Sequence, residues 1–594
     1  MKGDAFAARM GVVFLLLAGV FATLAAKIVT LHRDADRRSK LLSARGYETP
    51  LAAPRGRICD RTGRAVALDA VLKNICVSPA AILKAGVCDA VCRQLGLQLK
   101  DEGVTAEKVR ETIFAASGKK YRVVAAAVEE EVAERVLRLQ LPGVWAEDVS
   151  KRQYPLGNLA SHVIGFSNAE GVGSAGIEQR FDAYLRGLPG LRLGEKDGKR
   201  REIASRRTLE AEAVAGADVH LTLDTTIQYY AERALDWGMA EFHPKAMWAI
   251  VEDVKTGEIL AMASRPDYDL NEYAKSDAES RRNRPVAANI EPGSIFKVAT
   301  VAGALDAGVT ETNEVFFCEN GYWRDCPGRG LKDLHPYGDL DVGGILKKSS
   351  NVGAAKIAVR LGQERFRRYL ADFGIGRKTG IELPGEESGI LHPLSKWTTP
   401  SISRVAMGHE VMVTALQMVN LLSCLGNDGY LMRPYIVSRI EDAEGRKLLE
   451  NKPSVVARPV TERTAREMRE LLLGVTGNDG TGKRARFEGY PVGGKTGTAE
   501  KIVGGHYVRN SNVASFMGMF PALEPRVAII VVADDPTPLH GGGAVSAPVF
   551  AHMAPDIARY LDIRAEGAAE TVWYGPDGTP EDLDSTADPE ALEG

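Results

Sequence analysis

The stretch Glu291-Pro-Gly-Ser294-Ile-Phe-Lys297-Val-Ala-Thr places a serine and a lysine three residues apart, directly after a Pro-Gly turn. Because the residues after the turn read as helical, the pattern predicts that Ser294 opens a helix and that Lys297 shares its face. The helix N-terminus favours negative charge near the hydroxyl. A neutral lysine can accept the serine proton, and N–H groups at the helix start can stabilise an oxyanion. The stretch therefore predicts an activated nucleophile, although S-x-x-K alone also describes a capped helix with a surface lysine.

Two further short motifs follow towards the C-terminus. Lys348-Ser349-Ser350-Asn351-Val-Gly353 comes first, and Gly493-Gly-Lys495-Thr496-Gly497-Thr498-Ala-Glu500 follows near two strand-like segments. Glycines around Lys495 allow close approach to the backbone, and a cation there suits a substrate that ends in a carboxylate. Lys-Thr-Gly alone is a common turn tripeptide. Three ordered motifs together predict one catalytic site.

The order and spacing of the three motifs resemble the serine penicillin-binding proteins and serine β-lactamases, whose motifs are S-x-x-K, S-x-N and K-T-G. The resemblance implies acyl transfer through a covalent serine intermediate. By position, the resemblance implies that Ser294 is the acylated nucleophile and that Lys297 is its base. Ser349 and Asn351 would then serve as the proton shuttle and the substrate amide contact. On the third motif, Lys495, Thr496 and Gly497 would form the strand that binds the substrate carboxylate, and the backbone of Thr498 would contribute to the oxyanion hole.

Sequences outside these motifs resemble class B transpeptidases, in which a pedestal precedes the catalytic domain. Pro54-Arg-Gly-Arg-Ile-Cys-Asp60-Arg-Thr-Gly63 resembles the first pedestal motif, which a β-lactamase lacks. Its charged residues can fold a hairpin through ion pairs and, in the family, are thought to dock partners as well. Later segments resemble the remaining pedestal motifs: Tyr154-Pro155, His162, Gly165-Phe166 and Gly176-Ile-Glu178. Four further positions or segments resemble the division-type transpeptidases more closely than the elongation type: Glu291, Asp253, Thr256-Gly257 and Tyr268-Asp-Leu-Asn271.

The chain of 594 residues is too long for one hydrophobic core, so several domains are expected. The expected fold is α/β (α+β): an antiparallel sheet flanked by helices in a penicillin-binding/β-lactamase-like transpeptidase domain, after a mixed α+β pedestal and one N-terminal transmembrane helix. Strand patterns at 247–253, 259–264, 513–519 and 527–533 supply the sheet from both ends of the domain. The predicted segments are a cytoplasmic N-terminus at 1–9, the membrane anchor at 10–31, the pedestal at 45–215, the transpeptidase domain at 216–562 and a disordered acidic tail at 563–594.

The apolar run from Met10 to Leu31 is at the short end of the length that spans a bilayer. A cleavable signal peptide is the alternative, but the apolar core is long for one and continues past Lys27. No second run of that length follows. Flanking positive charges do not settle orientation, so the cell-wall chemistry implied by the resemblance places the remaining chain on the extracytoplasmic side of the cell membrane.

Composition excludes several other classes of protein. With 45% hydrophobic residues, 26% charged residues and a formal net charge of -3, the chain reads as folded and carries no nucleic-acid signal. An H-E-x-x-H motif is missing, and acyl transfer of the implied kind needs only side chains, so neither a cofactor nor a metal ion is expected. Among the seven cysteines, Cys318 and Cys326 can form a disulfide outside the cytoplasm, or can remain as buried thiols.

The resemblance implies a peptidoglycan D,D-transpeptidase that cross-links D-Ala-D-Ala stem peptides to acceptor amines during septal wall synthesis and is acylated by β-lactams. Its partners would be a membrane glycan polymerase and divisome proteins, which contact the pedestal and the membrane helix. No room is expected for a glycosyltransferase domain before the pedestal. The alternatives are an elongation-type transpeptidase, a D,D-carboxypeptidase or β-lactam-binding hydrolase, and a nonenzymatic divisome scaffold.

Overall fold

The computed structural model describes residues 3–33, 46–51, 53–195, 208–503 and 506–565. Almost all of the predicted acidic tail lies outside these residues. The chain divides into two compact units, and each draws on several segments. The first consists of Met1–Gly56, Lys73–Ser150 and Ala183–Ala217, and the second of Arg57–Leu72, Lys151–Asp182 and Asp218–Gly594. The domain limits at 45, 215 and 562 remain predictions.

A single long helix, Gly3–Arg33, begins the described chain. Its segment Met10–Thr30 covers 21 residues with a mean hydropathy of 2.5. Within the described ranges it is the only helix that is long and apolar enough to cross a membrane. This segment coincides with the predicted anchor.

The rest of the first unit mixes helices and strands, as predicted for the pedestal. The helices Cys88–Gln98 and Ala106–Ala115 pack together, and Thr105 caps the second one by accepting a hydrogen bond from the Lys108 N–H. Buried Ile75, Leu95 and other apolar residues form its core. Its remaining elements are the helices Pro79–Lys84 and Glu130–Leu137, the strands Gly46–Leu51, Arg122–Val128, Gly190–Glu195 and Thr208–Ala211, most of the strand Val144–Gln153 and of the helix Asp182–Leu185, and the end of the strand Ala65–Val77 from Lys73 onward.

A five-stranded antiparallel sheet organises the second unit, which confirms the predicted sheet built from both ends of the domain. Its strands, in spatial order, are Ile259–Arg265, Ala246–Asp253, Val527–Asp534, His506–Phe520 and Gly493–Val503. The central strand reads VAIIVVAD, and seven of its eight residues are buried. A continuous β-branched run of this kind is typical of a strand covered on both faces.

Helices cover both faces of this sheet. Thr225–Phe242 and Ser546–Tyr560 pack on one face, where Asp224 begins the first helix by accepting hydrogen bonds from the Thr226 and Ile227 N–H groups. Ala415–Gly426, on which all twelve residues are buried, packs against the strands Ala246–Asp253 and Val527–Asp534. The other helices of the unit are Ser161–Ile164, Gly176–Arg180, Arg284–Ala287, Lys297–Asp306, Val342–Lys348, Asn351–Leu361, Gln363–Asp372, Ser401–Val405 and Glu462–Thr476, with 3₁₀ turns at Leu270–Lys275, Gly293–Phe296, Glu319–Gly321, Leu394–Lys396 and Lys483–Ala485.

Short strands complete the second unit. Asp218–Leu221 pairs in parallel with Ile58–Cys59 and antiparallel with Val437–Glu441. The Arg57 guanidinium donates to Asp218 Oδ2 at 2.6 Å, and Thr225 Oγ1 donates to buried Asp60 Oδ2 at 2.6 Å. Charged residues of the first pedestal motif therefore form hydrogen bonds with residues at the beginning of the segment Asp218–Gly594. The remaining strands are Val315–Phe317, Tyr322–Trp323, Leu331–Lys332, Asp339–Asp341, Leu431–Met432, Lys447–Glu450 and Val455–Ala457.

The two cysteines considered for a disulfide are both free and buried. Cys318 directly follows the strand Val315–Phe317, and its thiol donates to the Phe316 carbonyl at 3.6 Å. Of the two possibilities that the sequence leaves open, the disulfide is absent from this structure, and the Cys318 sulfur points back to its own strand. The alternative reading, two buried thiols, describes the structure.

We expect the sheet core to dominate the stability of the second unit. Ile529 on the central strand is fully buried in the apolar cluster under the helices Thr225–Phe242 and Ser546–Tyr560. Ile529→Ala should therefore lower the free energy of unfolding by about 2–5 kcal/mol. Val508→Ala on the same sheet is the control, because Val508 is 38% exposed and should change it by less than about 0.5 kcal/mol. Urea unfolding measures both. Equal losses would contradict this assignment of the core.

Candidate active site

Ser294 lies in the 3₁₀ turn Gly293–Phe296, which continues directly into the helix Lys297–Asp306. The sequence prediction that Ser294 opens a helix therefore agrees with the local backbone. Gly293 has a φ of +55°, and a Cβ atom there would meet the Thr498 carbonyl oxygen at 2.8 Å. Glycine is needed at this position because the turn approaches the strand Gly493–Val503 so closely.

Lys297 is completely buried, and its amine holds the first two motifs together. Its Nζ donates to the Ser349 carbonyl at 2.6 Å, to Ser349 Oγ at 3.2 Å and to Asn351 Oδ1 at 2.7 Å. All three acceptors are neutral oxygens. Burial accordingly lowers the pKa of Lys297 from 10.5 to about 7, although the negative charge of Asp333 opposes the shift.

Ser349 and Asn351 lie on either side of a break between two helices. Ser349 ends the helix Val342–Lys348 in the left-handed conformation, with a φ of 61°, and Asn351 begins the helix Asn351–Leu361. Asn351 Nδ2 donates to the Lys332 carbonyl at 3.0 Å, which orients the side-chain oxygen. The break therefore presents one hydroxyl and one amide to the same lysine.

Lys495 reaches the same hydroxyl from the edge strand Gly493–Val503. Its completely buried amine donates to Ser349 Oγ at 2.9 Å and to the Thr496 carbonyl at 3.0 Å. Burial, with the neighbouring charge of Lys297, lowers the pKa of Lys495 well below its ordinary value. Two lysine amines from distant parts of the chain thus share the hydroxyl of Ser349.

The other predicted site residues lie on or beside this strand. Thr496 Oγ1 donates to Thr481 Oγ1 at 2.9 Å, and Thr498 Oγ1 accepts from the Gly542 N–H at 3.2 Å. A Cβ atom at Gly497 would meet Ser515 Oγ at 2.3 Å, so the strand packs too closely for a side chain there. Ser294 lies one turn before Lys297, and within the described residues no hydrogen bond to its hydroxyl is found.

Asp333 is a site residue that the sequence motifs did not indicate. It is buried, and it accepts hydrogen bonds from Ser350 Oγ at 2.7 Å, from the Asn351 N–H and from the Val352 N–H at 3.0 Å. A carboxylate at a helix N-terminus satisfies N–H groups that would otherwise lack partners. Asp333 therefore fixes the position of Asn351. It follows a short strand-like stretch with no recognisable pattern, so only the structure reveals it.

A second polar cluster borders the segment that leads to Ser294. Glu291 Oε2 lies 3.0 Å from His409 Nδ1, its Oε1 accepts from the Glu410 N–H at 3.0 Å, and the Tyr507 hydroxyl lies 3.3 Å from both carboxylate oxygens. Burial and the charge of Glu291 raise the pKa of Tyr507 to about 12. His409 is thus a partner of Glu291.

Residues 247–554 match the penicillin-binding protein transpeptidase domain, and residues 50–221 match the penicillin-binding protein dimerisation domain. The chain belongs to the penicillin-binding protein family. The order of the two domains is that of class B proteins, as the pedestal motifs predict.

Curated relatives span most of the chain. It is 34% identical over 503 residues to the probable peptidoglycan D,D-transpeptidase PenA of Neisseria meningitidis, with 84% of this chain and 83% of the relative covered. It is 31% identical over 518 residues to the peptidoglycan D,D-transpeptidase FtsI of Escherichia coli, with 87% and 85% covered. Stage V sporulation protein D of Bacillus subtilis is 33% identical over 548 residues, with 91% and 82% covered.

Solved structures show the same fold. A peptidoglycan synthetase from Bifidobacterium adolescentis superposes with a TM-score of 0.69 at 27% identity, covering 90% of this chain and 99% of that one. Penicillin-binding protein 3 of Mycobacterium tuberculosis, solved with ampicillin, gives 0.69 at 26% identity, with 88% and 98% covered. These likenesses agree with the predicted transpeptidase fold and pedestal.

We expect Asp333→Asn to destabilise the second unit, because the N-terminus of Asn351–Leu361 loses its charged acceptor. The free energy of unfolding should fall by about 1.5–3 kcal/mol, the range for hydrogen bonds to a charged group. Asp339→Asn is the matched control, since Asp339 is exposed on a nearby strand. Chemical denaturation measures both variants. Equal stability of the two would show that Asp333 does not hold the helix.

Proposed function

We propose that this protein is a division-type peptidoglycan D,D-transpeptidase, which cross-links stem peptides through an acyl-enzyme on Ser294 and is acylated by β-lactams. The observation that carries the proposal is the Ser349 hydroxyl, shared by the buried amines of Lys297 and Lys495 one turn from Ser294. Relatives named as peptidoglycan D,D-transpeptidases support the activity. The similarity to FtsI favours the septal role over the elongation role.

In the acylation step, Ser294 Oγ attacks the carbonyl carbon of the penultimate D-alanine of the donor. The serine proton passes to neutral Lys297 Nζ as the new C–O bond forms. The carbonyl electrons move to oxygen, where the Ser294 and Thr498 N–H groups stabilise the oxyanion. Collapse of this intermediate breaks the C–N bond, and the terminal D-alanine leaves with a proton relayed through Ser349.

In the second step, an acceptor amine replaces the leaving group. Its nitrogen attacks the ester carbonyl, loses a proton to the same Lys297–Ser349 pair, and releases Ser294 with a new amide bond. During the first step, before the terminal D-alanine leaves, the strand residues Lys495, Thr496 and Gly497 hold its carboxylate, while Asn351 contacts the donor amide. Attack by water instead of the amine would give hydrolysis, so acceptor binding decides the outcome.

The proposal includes a location and partners. The apolar segment Met10–Thr30 of the first helix anchors the protein in the bacterial inner membrane. The pedestal at 45–215 and the transpeptidase domain at 216–562 lie on the extracytoplasmic side. Anchoring raises the effective concentration of enzyme near newly made glycan. A membrane glycan polymerase and divisome proteins would contact the pedestal and the membrane helix.

Acylation by penicillin should depend on pH through Lys297. Protonated Lys297 cannot accept the serine proton, and its pKa is lowered to about 7. The acylation rate should therefore be low below this pH, rise through it and level off above it. Stopped-flow measurement of penicillin binding across the pH range tests this, and a rate that is flat through pH 7 would contradict it.

Cross-linking tests the proposed function itself. With lipid-linked substrate and a glycan polymerase supplied, the wild type should form stem-peptide dimers, Ser294→Ala should form none, and Lys297→Ala should be slower by about 100-fold or more. Lys378→Ala, an exposed lysine in the same unit, is the control and should retain the wild-type rate. If the wild type releases only D-alanine without dimers, the protein is a carboxypeptidase.

A further inference from the structure

Two thiols lie in contact at the start of a helix in the first unit. Cys88 Sγ is 3.9 Å from Cys92 Sγ, one turn along the helix Cys88–Gln98. Of the seven cysteines, all of which lie among the described residues, Cys88 alone is not buried. Cys92 is completely buried in the core of the unit. The pair therefore combines an accessible thiol with a sheltered one, outside the site described above.

Two adjacent thiols can serve either a soft metal ion or disulfide chemistry. A structural zinc site takes four ligands, which are usually Cys or His. Within the described residues, no third His, Cys, Asp or Glu joins this pair to make such a group. Disulfide chemistry requires the two thiols alone. The pair therefore fits disulfide chemistry better than a metal site.

The two thiols differ in how readily each can react. Burial, together with the neighbouring Cys88 thiol, raises the pKa of Cys92 to about 11. Because the thiolate is the nucleophile, Cys92 is unreactive at neutral pH towards reagents in solution. Cys88 is partly exposed and lies in contact with Cys92. A reagent therefore meets Cys88 first, and Cys92 can follow from within the fold.

The position of Cys88 at the start of its helix allows the pair to close. Residues four apart on a helix have Cα atoms about 6 Å apart, within the range of about 4.4–6.8 Å that disulfides span. Their Cβ atoms, about 5–6 Å apart, must approach to about 3.5–4.5 Å, so the first turn has to shift. That turn has no side-chain cap, because Val87 precedes it. A disulfide closed by such a shift is strained, and strained disulfides are readily reduced again.

We propose that Cys88 and Cys92 form a thiol–disulfide exchange site that reacts with a small-molecule disulfide. Deprotonated Cys88 Sγ attacks one sulfur of the reagent, which forms a mixed disulfide and releases the other sulfur as a thiolate. Cys92 Sγ then loses its proton and attacks Cys88 Sγ, which closes the internal disulfide and releases a second thiolate. The two released thiolates take up the two protons. The protein pair is thereby oxidised by two electrons, and the reagent disulfide is reduced by two.

Oxidation changes the contact between two helices of the first unit. Asp89, beside Cys88, pairs with Arg110 of the helix Ala106–Ala115 at 2.9 Å. Because the first turn must shift, we expect this ion pair to be disturbed when the disulfide closes. Disulfides form and persist in oxidising compartments, and the proposed extracytoplasmic location is of this kind. The exchange itself uses no residue of the acyl-transfer site.

The test is peptide mass spectrometry of the full-length protein in detergent after incubation with excess glutathione disulfide. The remaining thiols are blocked with N-ethylmaleimide in urea, and trypsin then releases both cysteines in one peptide, residues 85–93, because Lys84 and Arg93 flank it. The wild type should yield this peptide mainly with an internal disulfide, and dithiothreitol should restore the two thiols. A wild type that stays unmodified, or that keeps a lasting glutathione adduct, overturns the proposal.

Variants separate the roles of the two thiols. Cys92→Ser should trap the mixed disulfide, so that glutathione on Cys88 rises at least about tenfold above the wild type. Cys88→Ser should leave Cys92 unmodified, because Cys92 is buried. Cys326→Ser is the control and should behave as the wild type, since Cys326 is a buried thiol outside the pair. If Cys92→Ser fails to fold, Cys92→Ala takes its place, and an adduct no greater than in the wild type contradicts the role of Cys92.

Two further readings on the same samples keep the outcomes apart. Cys76 is fully buried in the first unit and should carry no glutathione. Glutathione on Cys76 to the same extent as on Cys88 would show a reaction of unfolded protein and would reject the site. Penicillin labelling reports Ser294 alone, so a loss of labelling rejects the acyl-enzyme assignment and retains the exchange site. Full labelling without exchange rejects the exchange site alone.

Discussion

The desolvated amine of Lys297 is the group on which the rest of the site depends. Burying an ammonium ion away from water is expensive unless a charge pairs with it. Here the direct partners of the amine are neutral oxygens of Ser349 and Asn351, so its neutral form is favoured. Asp333 is one step removed, because it bonds to the helix that carries Asn351 and moderates the shift from there.

The fold supplies this environment by bringing three distant segments together. The helix Lys297–Asp306 consists mainly of small and β-branched residues and is buried along nine of its ten positions, which excludes water from the lysine. The edge strand Gly493–Val503 can approach the turn at Ser294 because Gly293 and Gly497 have no side chains. The five-stranded sheet fixes that strand through pairing with His506–Phe520. Tight packing and a low lysine pKa are thus two results of one arrangement.

Much of this architecture could be predicted because its signals are local. The strands at 247–253 and 527–533, the membrane-length helix and the three motifs are each visible in a few residues. The role of Asp333 in holding the N-terminus of the helix Asn351–Leu361 could not be predicted, because it depends on where a short loop meets that helix. The bonds of Glu291 with His409 and Tyr507 join residues 118 and 216 positions apart, which no local pattern reports. The cysteine pair shows the same limit, because sequence spacing does not give the direction of the Cys318 sulfur.

The titration of the Lys297 amine tests the account most directly. In protein whose lysines carry ¹³C at Cε, the Lys297 resonance, assigned by its loss in Lys297→Ala, can be followed by NMR against pH. The account predicts a midpoint of about 7. A midpoint near the ordinary lysine value of 10.5 would show that the amine is solvated or paired with a carboxylate, and would contradict its role as the neutral base.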